Sequence, residues 1–523
     1  MNTRFIRLAT ILALPLSAHA QNFEVVDATI GGVHAAFKSG KLTCHALVQA
    51  HLDRIAAYDK QGPALNAIQH VNAHALAEAD SLDAVLRSAL KDRQPLAPLH
   101  CIPVLLKDQV ETRDMPTTYG SALFTGFVPL RDATVVARLR GAGAIIIAKT
   151  NMGEFASRYV GSAFGIIRNA YDTTRNPSGS SGGTGSGIAA SFGLVGLGED
   201  TGGSVRGPAA VANLVGLRPT LPLVSRFGML PANPTQDTMG PLARTVVDAA
   251  LLLDAIVGYD PKDPLTAYAV GHSPKSYAAR LSREALRGAR IGVLRDPMDT
   301  SIRRTSEEYQ KVRVVVDRAI AALRTQGATV VDSVVIDRLA VLGDIGNDYE
   351  TEQATDAYLK EHPNAPVKTF KEIMLSGVVT PWRARAMMGL VGKTTNDPGY
   401  LKVIHQREAL RLSVLQAMAD QKLDAIVYAT FDEQPTVIAA DVLTNAKPKD
   451  DYGKGDNRGL SPAIGFPALT VPAGFTSDAM PVGLEFLGRP FTEELLLGFG
   501  YAFEQATHHR RPPGLTPPLG GRR

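Results

Sequence analysis

Cysteine is scarce in this chain, and the ligand patterns that would build a metal site from it are absent. Two cysteines, Cys44 and Cys101, occur in 523 residues. Neither belongs to a CxxC motif and neither has a histidine-rich partner segment, so we expect no metal site. Two cysteines allow one pairing, and both a Cys44–Cys101 disulfide and two buried free thiols fit the sequence.

The chain also lacks a strong excess of charge of either sign. Its formal net charge is +4, and no basic stripe is interleaved with aromatic residues, so nucleic acid is not an expected partner. Apolar residues make up 45% of the chain and charged residues 20%, which is typical of a globular protein with a large core.

Long apolar segments are missing after the N-terminus, so we expect no membrane span. At the N-terminus, Arg4 and Arg7 precede a short apolar run over 8–17, and Ala18-His19-Ala20 fits a small-x-small cleavage site. This pattern predicts a secretory signal peptide over 1–20 that is cleaved near Ala20. We therefore expect an exported protein, periplasmic or secreted.

Phosphate-binding motifs are absent as well. The sequence contains no GxxxxGK[ST], and the runs 183–185 and 196–198 lack the third glycine of GxGxxG. We therefore predict no nucleotide site.

Helical and strand patterns alternate along the chain, which predicts an α/β fold with parallel crossovers. We interpret 21–523 as one domain: a helical arm over about 24–90, a catalytic core over about 95–260, a helix-rich variable part over about 337–420 and returning strands over about 423–490. The tail after Arg511 is rich in Pro and Gly and is expected to be loose. Strand patterns lie at 99–107, 143–149, 290–294, 328–335, 425–429, 467–472 and 482–487.

Two clusters of small residues, 178–183 and 200–204, stand out within the stretch 176–206. Gly-rich backbone can expose N–H groups to an anion, and four serines lie in the two clusters, so a hydroxyl nucleophile beside an oxyanion-binding loop is the first hypothesis. The apolar run 188–197 between the clusters is core-like, and we expect it to be helical.

Two serines compete for the role of nucleophile. The run 179–183 satisfies GxSxG with Ser181 as nucleophile, and His272, His362, His405 or His508 could serve as its base. That motif requires a preceding strand, whereas 171–177 is polar and turn-like. The alternative is Ser204, with Lys107 at the end of an apolar strand as base, because burial would lower the pKa of a lysine from its usual value of about 10.4.

The sequence resembles the amidase signature family of serine hydrolases over nearly all of the chain after residue 20. Several motifs in the same order carry the resemblance: PVLLKD at 103–108, GSSGG at 179–183, GEDTGGSVRGPAA at 198–210, VGLRPT at 215–220, QDTMGPLARTVVDAA at 236–250 and PALTVPAG at 467–474. The resemblance implies a single α/β domain whose mixed, mostly parallel central sheet is sandwiched by helices.

The resemblance also implies a Ser–cis-Ser–Lys triad. Ser204 would be the acyl-accepting nucleophile, Ser180 the bridging serine on a cis peptide bond to Gly179, and Lys107 the base. The predicted oxyanion-hole N–H groups are those of Thr201, Gly202, Gly203 and Ser204.

Weaker expectations concern neighbouring residues. We expect Ser181, Asp200 and Arg206 to support the site, and Asp108 to be structural. Cys101 stands where the family usually has Gly, which suggests a disulfide to Cys44 or simple packing.

The implied reaction is hydrolysis of a small-molecule or peptide amide without metal or cofactor. The chain looks similar to exported bacterial peptide amidases, while aryl acylamidase, carbamate or ester hydrolysis stays open. A non-catalytic binding protein on the same fold is a further alternative. The amidotransferase subunits of the family act in the cytoplasm with partner chains, and the predicted signal peptide argues against that role. The oligomeric state is not predicted.

Overall fold

Eleven strands form one central sheet in the computed structural model, which describes residues 23–297, 303–339, 346, 348–449 and 456–520. The predicted signal peptide over 1–20 lies outside the described residues. The strands are β1 Ile68–Val71, β2 Pro103–Lys107, β3 Ile145–Thr150, β4 Val160–Gly161, β5 Gly165–Ile166, β6 Val195–Asp200, β7 Val215–Arg218, β8 Thr238–Ala243, β9 Arg290–Leu294, β10 Thr329–Val334, β11 Ala425–Ala429, β12 Ala468–Phe475 and β13 Pro481–Leu487.

The sheet is mixed, and its strand order is β1-β3-β2-β6-β8-β7-β12-β13-β11-β9-β10. Parallel pairing holds β3-β2-β6 together near one edge and β11-β9-β10 at the other. Antiparallel pairs connect these groups, and β1 joins β3 in the antiparallel sense. Strands β4 and β5 form a separate antiparallel pair.

Helices flank this sheet, as the sequence predicted for a single α/β domain. They are α1 Ile30–Lys38, α2 Cys44–Tyr58, α3 Ala75–Lys91, α4 Thr134–Gly141, α5 Gly182–Ala189, α6 Arg206–Val211, α7 Val246–Ile256, α8 Glu307–Thr325, α9 Thr351–Lys360, α10 Phe370–Leu375, α11 Pro381–Met388, α12 Pro398–Asp420, α13 Leu460–Ile464 and α14 Glu493–Thr507. Within the ranges given above, no helix has the length and apolar character of a membrane span.

The apolar run 188–197 differs from the helix that was expected. Helix α5 ends at Ala189, and the run continues through a turn into the buried strand β6. Every residue of β6 is buried, so its sequence shows neither the alternation of a half-buried strand nor a clear helical period. The run therefore joins a helix to a central strand, and the second small-residue cluster follows the end of that strand.

The C-terminal tail is also more ordered than its composition indicated. Thr516 is buried, and the buried Arg54 of α2 donates to the carbonyl oxygens of Thr516 at 2.7 Å and Pro517 at 3.0 Å. Hydrogen bonds to a helix of the N-terminal arm thus hold a segment that was expected to be loose.

Candidate active site

Lys107 lies at the end of β2, between the parallel strands β3 and β6. All five residues of β2 are buried, and the Lys107 side chain is itself fully buried. Burial lowers the pKa of Lys107, and the nearby charge of Glu199 opposes that shift. The net direction favours the neutral amine, which is the form that can accept a proton.

Ser180 lies within hydrogen-bond distance of this lysine. The Nζ of Lys107 is 2.7 Å from the Oγ of Ser180, and both groups are buried. The peptide bond between Gly179 and Ser180 is cis. The sequence placed these two residues 73 positions apart, and the fold joins them at the point where β2 ends and α5 begins.

Ser181 links this turn to β6 through hydrogen bonds. Its hydroxyl donates to the carbonyl oxygen of Glu199 at 3.3 Å and accepts the N–H of the same residue at 3.4 Å. Among the described residues it has no histidine as a hydrogen-bond partner. Two of the proposed histidine bases have other partners: His272 stacks on Phe491 with ring centroids 4.2 Å apart, and His362 Nε2 lies 2.7 Å from Glu111 Oε1.

Ser204 lies in the turn that follows β6. It is partly exposed, whereas Ser180 and Lys107 are buried, so its hydroxyl is the one of the three that solvent or a substrate can reach. The preceding Gly203 has a φ of +112°, a conformation that a side chain would disfavour. The turn therefore presents a partly exposed serine just after β6, the strand that pairs with the strand carrying Lys107.

Asp200 organises the N–H groups of this turn. Its carboxylate accepts the N–H of Gly203 at 2.7 Å and that of Val205 at 3.1 Å. The Gly203 N–H therefore already has an acceptor, and its place in the oxyanion hole stays a prediction. For the N–H groups of Thr201, Gly202 and Ser204 the described part of the chain offers no acceptor, so these three remain candidates.

A buried ion network holds Asp200 in place. Its carboxylate is 3.1 Å from Arg206 and 3.3 Å from Arg218, and Arg206 also pairs with Glu485 on β13. Burial acts to raise the pKa of Asp200, but the charges of the two arginines outweigh it and hold that pKa far below its usual value. Asp200 and Arg206 thus form an ion pair, and Arg218 and Glu485 extend it across the sheet.

Glu199 is a site residue that the sequence did not single out. Its Oε2 lies 2.8 Å from the Nζ of Lys107, and neither side chain is exposed. Consecutive residues of a strand face opposite sides of the sheet, so Glu199 and Asp200 enter different networks. The sequence did offer one sign of this role. Glu199 and Asp200 are two adjacent carboxylates at the end of an apolar run, and such residues are rarely buried in a core.

Asp108 and Lys149 form a second buried pair, at the end of β2 and on the neighbouring strand β3. Lys149 Nζ is 3.6 Å from Asp108 and donates to Thr117 Oγ1 at 2.8 Å. Asp108 also accepts the N–H and hydroxyl of Thr118, so it fixes the loop after β2. This is the structural role that the sequence indicated.

Cys44 and Cys101 are joined in a disulfide with their Cα atoms 5.5 Å apart. The bond links the first residue of α2 to the segment just before β2. Among the described residues, the group of possible metal ligands found close together is Cys44, His100 and Cys101. Since both sulfurs of that group form the disulfide, it does not provide thiolate ligands.

A cavity lies next to the site and is mainly apolar. Its wall includes the segment Leu230–Ala232, and the Ala232 N–H donates to Asp237 at 2.8 Å. Asp237 in turn accepts the hydroxyl of Thr201, which connects the wall to the turn that carries Ser204. Much of the remaining lining comes from aromatic and aliphatic side chains: Tyr119, Met152, Phe155, Phe370, Ile373 and Met387.

Comparisons with known proteins agree with this arrangement. A family model described as Amidase matches residues 46–497. An Arabidopsis thaliana protein described as a probable amidase is 33% identical over 520 residues, covering 94% of this chain and 93% of its own. A glutamyl-tRNA(Gln) amidotransferase chain from Chloroflexus aggregans is 34% identical over 92% of this chain and 98% of its own. The native peptide amidase of Stenotrophomonas maltophilia superposes with a TM-score of 0.82 at 33% identity, covering 94% of this chain and 99% of that one.

Proposed function

The chain belongs to the amidase signature family and is an amide-hydrolysing enzyme, and we propose that it acts through an acyl-enzyme formed on Ser204. The observation that carries the proposal is the buried contact of 2.7 Å between Lys107 Nζ and Ser180 Oγ. Ser204 is partly exposed and follows β6, which pairs with the strand that carries Lys107. A base that is kept from water and joined to a hydroxyl is the arrangement that activates a serine without histidine.

The proposed first step moves two protons and forms one bond. Neutral Lys107 accepts the hydroxyl proton of Ser180, and Ser180 accepts the hydroxyl proton of Ser204. At the same time the Oγ of Ser204 attacks the carbonyl carbon of the amide. The N–H groups of Thr201, Gly202 and Ser204 stabilise the oxyanion of the tetrahedral intermediate, and one such donor is typically worth about 2.7–4 kcal/mol of barrier.

The second half of the reaction uses the same relay in reverse. The protons return through Ser180 to the leaving nitrogen, the C–N bond breaks, and an amine leaves the acyl-enzyme. Water then gives one proton to the relay and attacks the ester carbonyl, which releases the acid and restores Ser204.

The substrate that we propose is the C-terminal amide of a peptide or another small amide. The peptide amidase neighbour supports this choice of substrate. A panel of peptide amides, anilides, fatty amides, carbamates, esters and glutamine checks it. Preferred hydrolysis of peptide amides supports the proposal, and preference for another class contradicts the substrate assignment alone.

Covalent labelling with a fluorophosphonate tests the nucleophile and base. We expect wild-type protein to be labelled, Ser204→Ala to be unlabelled, and Lys107→Ala to lose labelling by about 100-fold or more while its circular dichroism is unchanged. His405→Ala is the matched control, since His405 is an exposed residue of α12, and it should label normally. Unlabelled wild-type protein, or loss of labelling in a histidine variant alone, would overturn the mechanism.

We also propose that the protein is exported after cleavage near Ala20. The N-terminal pattern supports this, and so does the Cys44–Cys101 disulfide, because disulfides persist in oxidising compartments. Mass spectrometry of the protein from fractionated cells checks the proposal. The expected product begins at Gln21 outside the cytoplasm, and an uncleaved cytoplasmic chain would contradict it.

A further inference from the structure

Glu199 contacts the proposed base but has no part in the relay described above. Its Oε2 lies 2.8 Å from Lys107 Nζ, and its main-chain carbonyl oxygen lies 3.3 Å from the same nitrogen. With Ser180 Oγ at 2.7 Å, the lysine nitrogen has three oxygen neighbours. Two of the three belong to one residue.

This geometry determines where the lone pair of the neutral lysine points. An ammonium has three N–H bonds, and each finds an acceptor here. The neutral amine keeps two N–H bonds and one lone pair. If its two N–H bonds point to the two oxygens of Glu199, the lone pair faces Ser180 Oγ, which is the atom whose proton it must accept.

Thr201 connects Glu199 to a second buried carboxyl group. Its hydroxyl is within hydrogen-bond distance of Glu199 Oε1 and lies 2.7 Å from Asp237 Oδ1. A hydroxyl has one proton and can donate to one of the two carboxyl groups, so the other must donate to it and carry a proton. Burial, followed by the charge of Glu199, raises the pKa of Asp237 to about 7, so Asp237 is the group that carries it.

We propose that Glu199 is a positioning residue for Lys107, and that Thr201 joins it to Asp237 in a carboxyl pair that shares one proton. Glu199 directs the lysine lone pair to Ser180, and protonated Asp237 supports Glu199 through the Thr201 hydroxyl. The inference rests on the proposed function, because it assigns a role toward the base of that mechanism.

The charges around this cluster set its response to pH. Lys107 faces the charges of Glu199 and Asp200, each of which favours its charged form, and protonated Asp237 adds no further charge. Arg218 lies near Glu199, Asp200 and Asp237, and the positive charge of Arg206 repels its own. An opposite charge within about 4–6 Å shifts a pKa by about 1–3 units, so loss of the Glu199 charge should lower the pKa of Lys107 by about that amount.

The test is the pH profile of fluorophosphonate labelling of Ser204, which needs no knowledge of the substrate. Wild-type labelling should rise with pH as Lys107 loses its proton. In Glu199→Gln we expect this rise to move about 1–3 units to lower pH, with the plateau rate within about 10-fold of wild type. Glu199→Ala removes the side-chain acceptor of Lys107 Nζ, and its plateau rate of labelling should be about 100-fold lower than that of wild type.

The Asp237 variants test the shared proton. The amide of Asp237→Asn can donate to Thr201 as the protonated acid does, so this variant should keep at least about a tenth of the wild-type rate. Asp237→Ala should lose about 100-fold. Equal damage from both substitutions would contradict a protonated Asp237.

Glu493→Gln is the matched control for removing a buried carboxylate. Glu493 is the first residue of α14, its side chain is fully buried, and it accepts the N–H of Thr220. Its profile should match wild type. If wild-type protein labels and both Glu199 variants keep its rate and profile, this inference is overturned while the proposed function stands. Unlabelled wild-type protein would instead overturn the proposed function.

Discussion

A methyl group at Gly179 would collide with the main chain that supports Ser180. A Cβ built there lies 1.6 Å from the carbonyl oxygen of Arg158. The Ser180 carbonyl oxygen in turn accepts the Gly153 N–H at 3.1 Å. The turn that brings Ser180 to Lys107 is therefore closed in by backbone, which cannot move aside as a flexible side chain can.

We expect Gly179→Ala to separate Ser180 from Lys107 and lower fluorophosphonate labelling by about 100-fold, since a misplacement of about 1 Å costs that much. Gly126→Ala is the control, because a Cβ at Gly126 meets nothing within 4 Å. It should label as wild type does. Normal labelling of a folded Gly179→Ala protein would show that the turn can relax.

The residues of the site were predictable from the sequence to different degrees. Lys107 and Ser180 were found because each lies in a motif of the resemblance, and the fold brings them into contact. Glu199 was missed because its role depends on which face of a strand it occupies, and that strand had been interpreted as a helix. The engagement of the Gly203 N–H by Asp200 depends on local turn geometry, which a Gly-rich sequence leaves open.

Among the elements, the predicted and observed bounds agree best for strands β9 and β11. Helix α2, with Thr43 as its N-cap, lies within the predicted helical arm, and β9 and β11 lie at the residues predicted for them. Strand β6 was missed because it continues the buried apolar run that begins in α5, and β7 and β8 follow it in the middle of the sheet. For such strands, composition reports burial but not the period that separates a strand from a helix.

The disulfide ties two of these elements together. It joins α2 to the segment that leads into β2, and it closes a span of 57 residues. We expect the double variant Cys44→Ser/Cys101→Ser to lose about 2–4 kcal/mol of unfolding free energy, since the unfolded chain gains freedom. Chemical denaturation measures the loss.

Labelling of Ser204 at 25 °C should survive in the same variant, because Cys101 precedes β2 whereas Lys107 lies at its far end. Wild-type protein treated with a reductant is the control and should unfold at the same denaturant concentration as the double variant. An unchanged unfolding midpoint in the double variant would contradict the stabilising role.

At the scale of the whole molecule, the two ends of the described chain meet. Arg54 of α2 is almost fully buried, and its guanidinium donates to Ala190 O, Thr516 O and Pro517 O. The Tyr58 hydroxyl also donates to Pro517 O at 2.8 Å. The N-terminal arm, the residue after α5 and the C-terminal tail therefore share one buried cation.

Deleting residues 512–523 should consequently destabilise the protein at a distance from the active site. The deletion removes the two tail acceptors of Arg54 and leaves a buried donor group unsatisfied, which costs about 1–3 kcal/mol. We expect a lower denaturation midpoint with Ser204 labelling retained below it. Deletion of 519–523 is the matched control, since it keeps Thr516 and Pro517 and should leave the midpoint unchanged. If both deletions behave as wild type does, the contact with Arg54 contributes nothing measurable, and the tail is as dispensable as its composition suggested.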